Sequence, residues 1–136
     1  MVAFNFMTLA IDPGPKLSGF VLINESDNSI VKFGKISLKE IKLLQSQFKI
    51  DRLIIEITDF PIAMAGESFR DTNIIIGRII EFYKCACILI GRKEAVNYFK
   101  LKDDTGSRRY LKKLGIKLKN DSWQAYLIYH YYKSIG

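Results

Sequence analysis

Short apolar runs open the chain. Phe6 to Asp12 and Leu17 to Asn24 are rich in β-formers and separated by Pro13-Gly14-Pro15-Lys16, and Ser29 to Lys35 follows the polar turn Glu25-Ser26-Asp27-Asn28. The pattern predicts three consecutive strands in a meander. From Ser37 to Phe48 the spacing becomes helical, with Leu38, Ile41, Leu44 (or Leu43) and Phe48 on one side and Ser37 with Glu40 as cap residues. Arg52 to Ile57 is almost continuously aliphatic, which predicts a central, parallel strand covered on both faces. Ser68 to Lys84 reads as the longest helix, its inner stripe formed by Phe69, Thr72, Ile76, Ile79, Ile80 and Tyr83, with Gly77 suggesting close packing. Cys85 to Ile90 is a further strand and Val96 to Phe99 a short extended piece. Thr105 to Leu114 is a basic helix closed by Gly115, and Ser122 to Lys133 the final helix. Strands that return after a helix tend to lie parallel, so this order predicts an α/β fold, a mixed five-stranded sheet with helices on both faces.

Composition narrows the class. With 136 residues, 49% hydrophobic and 26% charged, the chain has the balance of one globular domain spanning residues 1–136, not of a disordered segment. No apolar run reaches the roughly 18–20 residues that cross a bilayer, and Met1 to Ala10 lacks a basic stretch leading into a long apolar one. Cys85 and Cys87 are one residue apart in an apolar strand-like run, where a mutual disulfide would be strained, so they read as reduced core residues. These features lead us to expect an intracellular, cytoplasmic protein with reduced thiols and no membrane partner.

Charge adds a partner class. Lys plus Arg number 21 and Asp plus Glu 14, and the segment from Arg92 to Lys119 carries the whole excess of +7. Such a face suits a phosphate backbone, whose neutralisation releases condensed counterions, although a solvated helical face would have the same composition.

Three carboxylates stand in unusual places. Asp12 ends the first strand, where open α/β sheets keep their sites, and also fits an Asx turn before Pro13. Glu56 interrupts Leu53-Ile54-Ile55-Glu56-Ile57; inside a covered strand it needs a cation, a donor or a proton, whereas at a strand end it could reach water. Asp121 opens the last helix and also fits an N-cap, with Gln124 in capping-box position. If the first strand neighbours the Arg52 to Ile57 strand, Asp12 and Glu56 end side by side, and a hard divalent cation resolves their repulsion. Zinc ligands are lacking, because His130 is the sole histidine and the two cysteines stand without further partners. Carboxylates beside a basic face point to metal-assisted phosphodiester hydrolysis.

The stretch Leu9-Ala10-Ile11-Asp12-Pro13-Gly14, followed by Ser18-Gly19-Phe20-Val21, resembles the opening of RuvC-type Holliday junction resolvases of the RNase H-like superfamily. Leu53-Ile54-Ile55-Glu56 is similar to their second acidic strand, and Asn120-Asp121-Ser122-Trp123-Gln124-Ala125 to their C-terminal acidic pair. The closest look is of the compact, phage-type members. The resemblance implies an RNase H-like nuclease domain acting as a homodimer on branched DNA, in a bacterial or virus-infected cell. It also implies Mg²⁺, or Mn²⁺ as substitute, as two ions held by the catalytic residues Asp12, Glu56 and Asp121. Gln124 departs from the pattern, which has an aspartate there. An amide oxygen touches a metal weakly and brings no charge, so a second ion should bind less well unless Asp59, Glu67 or Asp71 compensates. Lys102, Arg108, Arg109, Lys112, Lys113, Lys117 and Lys119 become candidate phosphate contacts. The long helix, with Ile74, Ile75 and Phe82 off its inner stripe, becomes the expected dimer face. Phe69 or Tyr98 could stack at a junction, or belong to the core.

A catalytically weakened module that binds branched DNA or RNA without efficient cleavage fits Gln124. An RNA-directed nuclease resembling YqgF-type proteins fits equally, since phosphate contacts do not report on the sugar. Sugar kinases and actin-like ATPases share the Asp-x-Gly start, but need two such domains to enclose a nucleotide.

Overall fold

A computed structural model describes residues 6–57, 67–102, 104–118 and 122–136; the side chains of residues 67–69 and 104 are outside the description. The three opening runs form strands β1 (Met7–Asp12), β2 (Ser18–Asn24) and β3 (Ser29–Ile36), paired antiparallel in succession. The helix α1 (Leu38–Gln47) then leads into β4 (Ile50–Ile57), which returns parallel to β1. The long helix α2 (Glu67–Phe82) leads to β5 (Ala86–Gly91), parallel to β4. The sheet order is β3-β2-β1-β4-β5, so β1 and β4 are interior strands. Leu53, Ile54 and Ile55 are fully buried, as the aliphatic run predicts. The fold is the expected mixed five-stranded α/β sheet.

Alternation along the strands sorts the core into two layers. Leu9, Ile11, Phe20, Leu22, Leu53 and Ile55 face α1 and α2, where Ile41, Leu44, Ile76, Ile79 and Tyr83 meet them. Ala10, Val21, Ile23, Ile54 and Ile90 face α5 (Ser122–Ile135), which is joined by α3 (Arg92–Tyr98) and α4 (Asp104–Lys113). The α1 start carries the expected capping box: the Ser37 hydroxyl accepts from the Glu40 N–H, and the Glu40 carboxylate accepts from the Ser37 N–H. The Tyr83 hydroxyl donates to the Ile41 carbonyl and ties α1 to the end of α2. Gly115 (φ 83°) closes α4: its N–H donates to the Lys112 carbonyl and that of Ile116 to the Leu111 carbonyl, which suits glycine in the left-handed region.

Four expectations change. Val96 to Phe99 is not extended, because Arg92–Tyr98 is helical with buried Ala95 inward and the Phe99 N–H donating to the Ala95 carbonyl. Ile80 is exposed, whereas Ile75 and Phe82 pack against the core beside α1, so the α2 stripe is rotated from the expected one. Gly77 has no close neighbour: an added Cβ would meet nothing within 4 Å. Cys85 and Cys87 are free thiols, as expected, but only half buried, and burial raises the pKa of both.

Candidate functional site

Register places the first two candidates together. Ile11 pairs with Ile55 across the parallel β1–β4 ladder, so the next residues, Asp12 and Glu56, leave the sheet at the same C-terminal edge. Both share the face of Ala10 and Ile54, the one covered by α5. The turn beyond Asp12 is tight. A Cβ on Gly14 would lie 2.2 Å from the Leu17 carbonyl oxygen, and the Gly14 N–H donates to the Ser18 hydroxyl at 3.2 Å.

A third charged group enters from the next strand. Glu56 pairs with Ile90 on β5, and two residues on α3 starts with Arg92. The Arg92 Nε and Nη2 both donate to Glu56 Oε1 at 2.8 Å, and Nη2 lies 3.6 Å from Asp12 Oδ1. One guanidinium thus spans both carboxylates. The Glu56 side chain is 2% exposed, Asp12 15% and Arg92 39%, so the charges grade from the interior to the surface. Glu56 Oε2 is buried with no hydrogen-bond partner among the described residues. Burial pushes the Glu56 carboxyl up and the adjacent Asp12 charge pushes further; Arg92 offsets only part of this, leaving the value at about 8. Arg92 compensates the two carboxylates only in part, and the orphaned oxygen beside a second carboxylate fits a hard cation.

The final helix brings Gln124 to the same end. Lys133 pairs with Glu25 at 3.0 Å, and Arg52 lies over the Tyr132 ring at 5.1 Å, so the end of α5 covers the starts of β1 and β4. From Tyr132 back to Gln124 the helix rises about 12 Å, and Arg52 to Glu56 spans roughly 13 Å of strand. The buried Gln124 therefore sits level with Glu56. Asp121 lies outside the described residues, as does Lys119. Among the described residues, no group of three or more His, Cys, Asp or Glu side chains converges. Of the possible compensating acids, Asp71 is exposed on α2, Asp59 lies outside the described residues, and the Glu67 side chain is not described.

Lys102, Arg108, Arg109, Lys112, Lys113 and Lys117 are all exposed. Lys112 and Lys117 line, with Ile116 and Trp123, an open cavity of about 330 Å³, and the Lys112 ammonium is 6.0 Å from the Trp123 ring centre. Because Trp123 lies in the first turn of α5, these two cations flank the carboxylate end of the sheet. Lys100, Lys102 and Arg109 border a separate open cavity of about 520 Å³ with Thr105 and Gly106. Tyr98 is half exposed and meets Phe99 and Tyr131 edge-to-face, whereas the Phe69 side chain is not described. His130 is structural: it stacks on Phe99 at 5.0 Å and lies 3.2 Å from the Tyr110 hydroxyl, and burial lowers its pKa.

Arg92 is the site residue that sequence reasoning missed. It was visible only as one of many cations in a basic segment. The available signal was positional, because a residue directly after a parallel strand belongs to the same C-terminal edge as Asp12 and Glu56.

Comparison with solved structures identifies the fold. The chain matches Thermus thermophilus RuvC in complex with a Holliday junction substrate with a TM-score of 0.69, covering 96% of both chains at 11% identity. A second Thermus thermophilus RuvC structure matches with a TM-score of 0.69 and 12% identity, over 96% of this chain and 97% of that one. The fold is therefore RuvC-like, of the RNase H-like type. No family model matches the sequence, and no curated protein matches it.

Proposed function

We propose that the chain is a single-domain, divalent-metal-dependent DNA endonuclease that cuts branched DNA, specifically four-way junctions. One observation carries the reading: Asp12 and Glu56 meet at the C-terminal ends of two parallel strands, and the buried Glu56 keeps an oxygen without a hydrogen-bond partner. That is the arrangement a hard cation requires, on a fold shared with a RuvC solved on a Holliday junction.

Asp12 and Glu56 would hold Mg²⁺, with Asp121 as the third ligand implied by the resemblance and Gln124 as a neutral neighbour. When bound, the ion supplies activation of water and stabilisation of the leaving oxygen. The chain's own residues do the rest. The interior strands fix both carboxylates, the packed α5 excludes water from the sheet side of Glu56, and Lys112 and Lys117 offer charge to the flanking phosphates. Action on paired strands of a junction calls for a homodimer, and exposed Ile74 and Ile80 on α2 leave apolar surface for a second copy. No described helix is long and apolar enough to cross a membrane.

The test is nicking of a synthetic four-way junction with Mg²⁺ or Mn²⁺. Asp12→Asn and Glu56→Gln should bind the junction and not cut it; undiminished cutting by both defeats the reading. The neutral Gln124 and the guanidinium already bridging the carboxylates favour a second reading, a module that binds branched nucleic acid with little cleavage. Salt-sensitive junction binding with no product under any divalent ion would establish it.

A further inference from the structure

We propose that Arg92 holds the place of a second cation, so that the Asp12/Glu56 centre takes one divalent ion per chain instead of the two that the resemblance implies. The inference rests on the metal-centre reading above and specifies its stoichiometry.

Three features carry it. First, the guanidinium is anchored where an inter-carboxylate cation belongs, with two donors on Glu56 Oε1 at 2.8 Å and the Asp12 carboxylate 3.6 Å from Nη2. Second, its backbone is rigid. Arg92 directly follows buried Gly91 at the end of β5, and the Gly91 N–H donates to Glu94 Oε1 at 3.3 Å, fixing the start of α3. An arginine stays charged at any working pH, so this positive charge is permanent. Third, Glu56 divides its two oxygens: Oε1 is taken by Arg92, whereas Oε2 is buried with no hydrogen-bond partner among the described residues. Oε2 is the Glu56 oxygen left for an ion.

Charge balance points the same way. Among the described residues the carboxylates at the centre are Asp12 and Glu56; the resemblance adds Asp121, and Gln124 adds no charge. A guanidinium and two divalent ions together would outnumber these negative charges even after a phosphodiester entered. The Arg92 side chain is 39% exposed, so its positive charge reaches the surface where a phosphate would approach the carboxylates. The fixed cation would then supply, beside the phosphate, positive charge that a second ion would otherwise supply.

The test counts bound Mn²⁺ by the resonance signal of the free ion, on the full chain without DNA. Wild type and Arg92→Lys should saturate at one ion per chain, and Arg92→Gln should take a second. Two ions in wild type, or no gain in Arg92→Gln, overturns the inference. Should Arg92→Gln fail to fold, Arg92→Met takes its place: a second ion bound by it sustains the inference, and a single ion overturns it. Asp12→Asn and Glu56→Gln separate the two levels of the argument. If they leave Mn²⁺ binding unchanged, the metal centre itself fails; if they abolish it while wild type binds two ions, only the role of Arg92 falls.

Discussion

Two glutamates sit at opposite ends of the sheet, each beside a basic side chain, and their surroundings do opposite things to them. Glu25, just past β2, pairs with Lys133 at 3.0 Å; Glu56, near the end of β4, pairs with Arg92 at 2.8 Å. Burial pushes Glu25 up, but Lys133 and the Thr8 and Tyr129 hydroxyls more than offset it, so its carboxyl lies below the ordinary value. Glu56 ends at about 8 despite its guanidinium. Glu25 Oε1, Thr8 Oγ1 and Tyr129 Oη are buried without well-formed hydrogen bonds, yet two of the three can donate, so small rotations satisfy the group. At Glu56 the neighbour is a second carboxylate: Asp12 brings no hydrogen of its own, so the two share a hydrogen bond only while Glu56 keeps its proton, and once both are ionised they repel. One end of the sheet is closed by its own chemistry, and the other demands something from outside.

Removing the demand should have the largest effect. Asp12→Asn or Glu56→Gln should lower junction cleavage by about 10³-fold or more, roughly 4 kcal/mol of transition-state stabilisation. A chelator should do the same to wild type. Glu25→Gln should leave cleavage near wild type, since Glu25 lies at the far end of α5 and its lysine is 45% exposed. Its cost in stability should be about 1 kcal/mol or less. Equal loss of cleavage in Glu25→Gln and Glu56→Gln would erase the distinction.

The two carboxyls should also give opposite pH dependences in the metal-free protein. For Glu56 the folded value of about 8 exceeds the ordinary 4.5, so the fold favours the protonated form. Its contribution is complete below 4.5 and is lost as pH rises through 8, with a slope of at most about 1.4 kcal/mol per pH unit between them. Glu25, shifted down, contributes above 4.5 and loses that contribution as acid takes the pH through its folded value. Urea unfolding from acid to mildly alkaline pH should show the alkaline loss vanish in Glu56→Gln, which should also be the more stable protein at pH 8. An unchanged alkaline slope would remove the physical basis for an unmet demand at Glu56.

Two glycines sharpen the contrast between the site and the rest of the molecule. Gly14→Ala puts a Cβ 2.2 Å from a backbone oxygen that cannot move aside, beside Asp12. It should cost about 1–3 kcal/mol and lower cleavage by disturbing the carboxylate. Gly77→Ala meets nothing within 4 Å in the middle of α2 and should gain roughly 1 kcal/mol. Thermal unfolding of the two variants checks both signs.

The strands and the first capped helix were legible because their signals are local: alternation, a polar turn, a Ser37/Glu40 pair. Glu56 was legible because a carboxylate within an aliphatic run is conspicuous. Arg92 was not, since its meaning depends on β5 lying next to β4, a long-range pairing that no window of sequence contains. Val96 to Phe99 misled because β-branched and aromatic residues were read for propensity, whereas Ala95 packing against the α5 layer sets a helix there. The α2 stripe rotated because Ile75 and Phe82 find cover beside α1, a neighbour that its own periodicity does not announce.

The smallest effect concerns the basic face, whose members should not act alike. Lys112 and Lys117 stand with Trp123 at the start of α5, on the carboxylate end, whereas Lys102 borders the other cavity with Arg109. A phosphate contact releases about 0.9 counterion on duplex DNA, so each Lys→Gln substitution at a true contact should lower the slope of log K against log salt by about that amount. Lys112→Gln and Lys117→Gln should do so while also slowing cleavage at saturating junction, because their phosphates adjoin the reacting one. Lys102→Gln should weaken binding and leave the saturated rate intact. If all three change only affinity, the basic face merely holds DNA and contributes nothing to the chemistry beside Glu56.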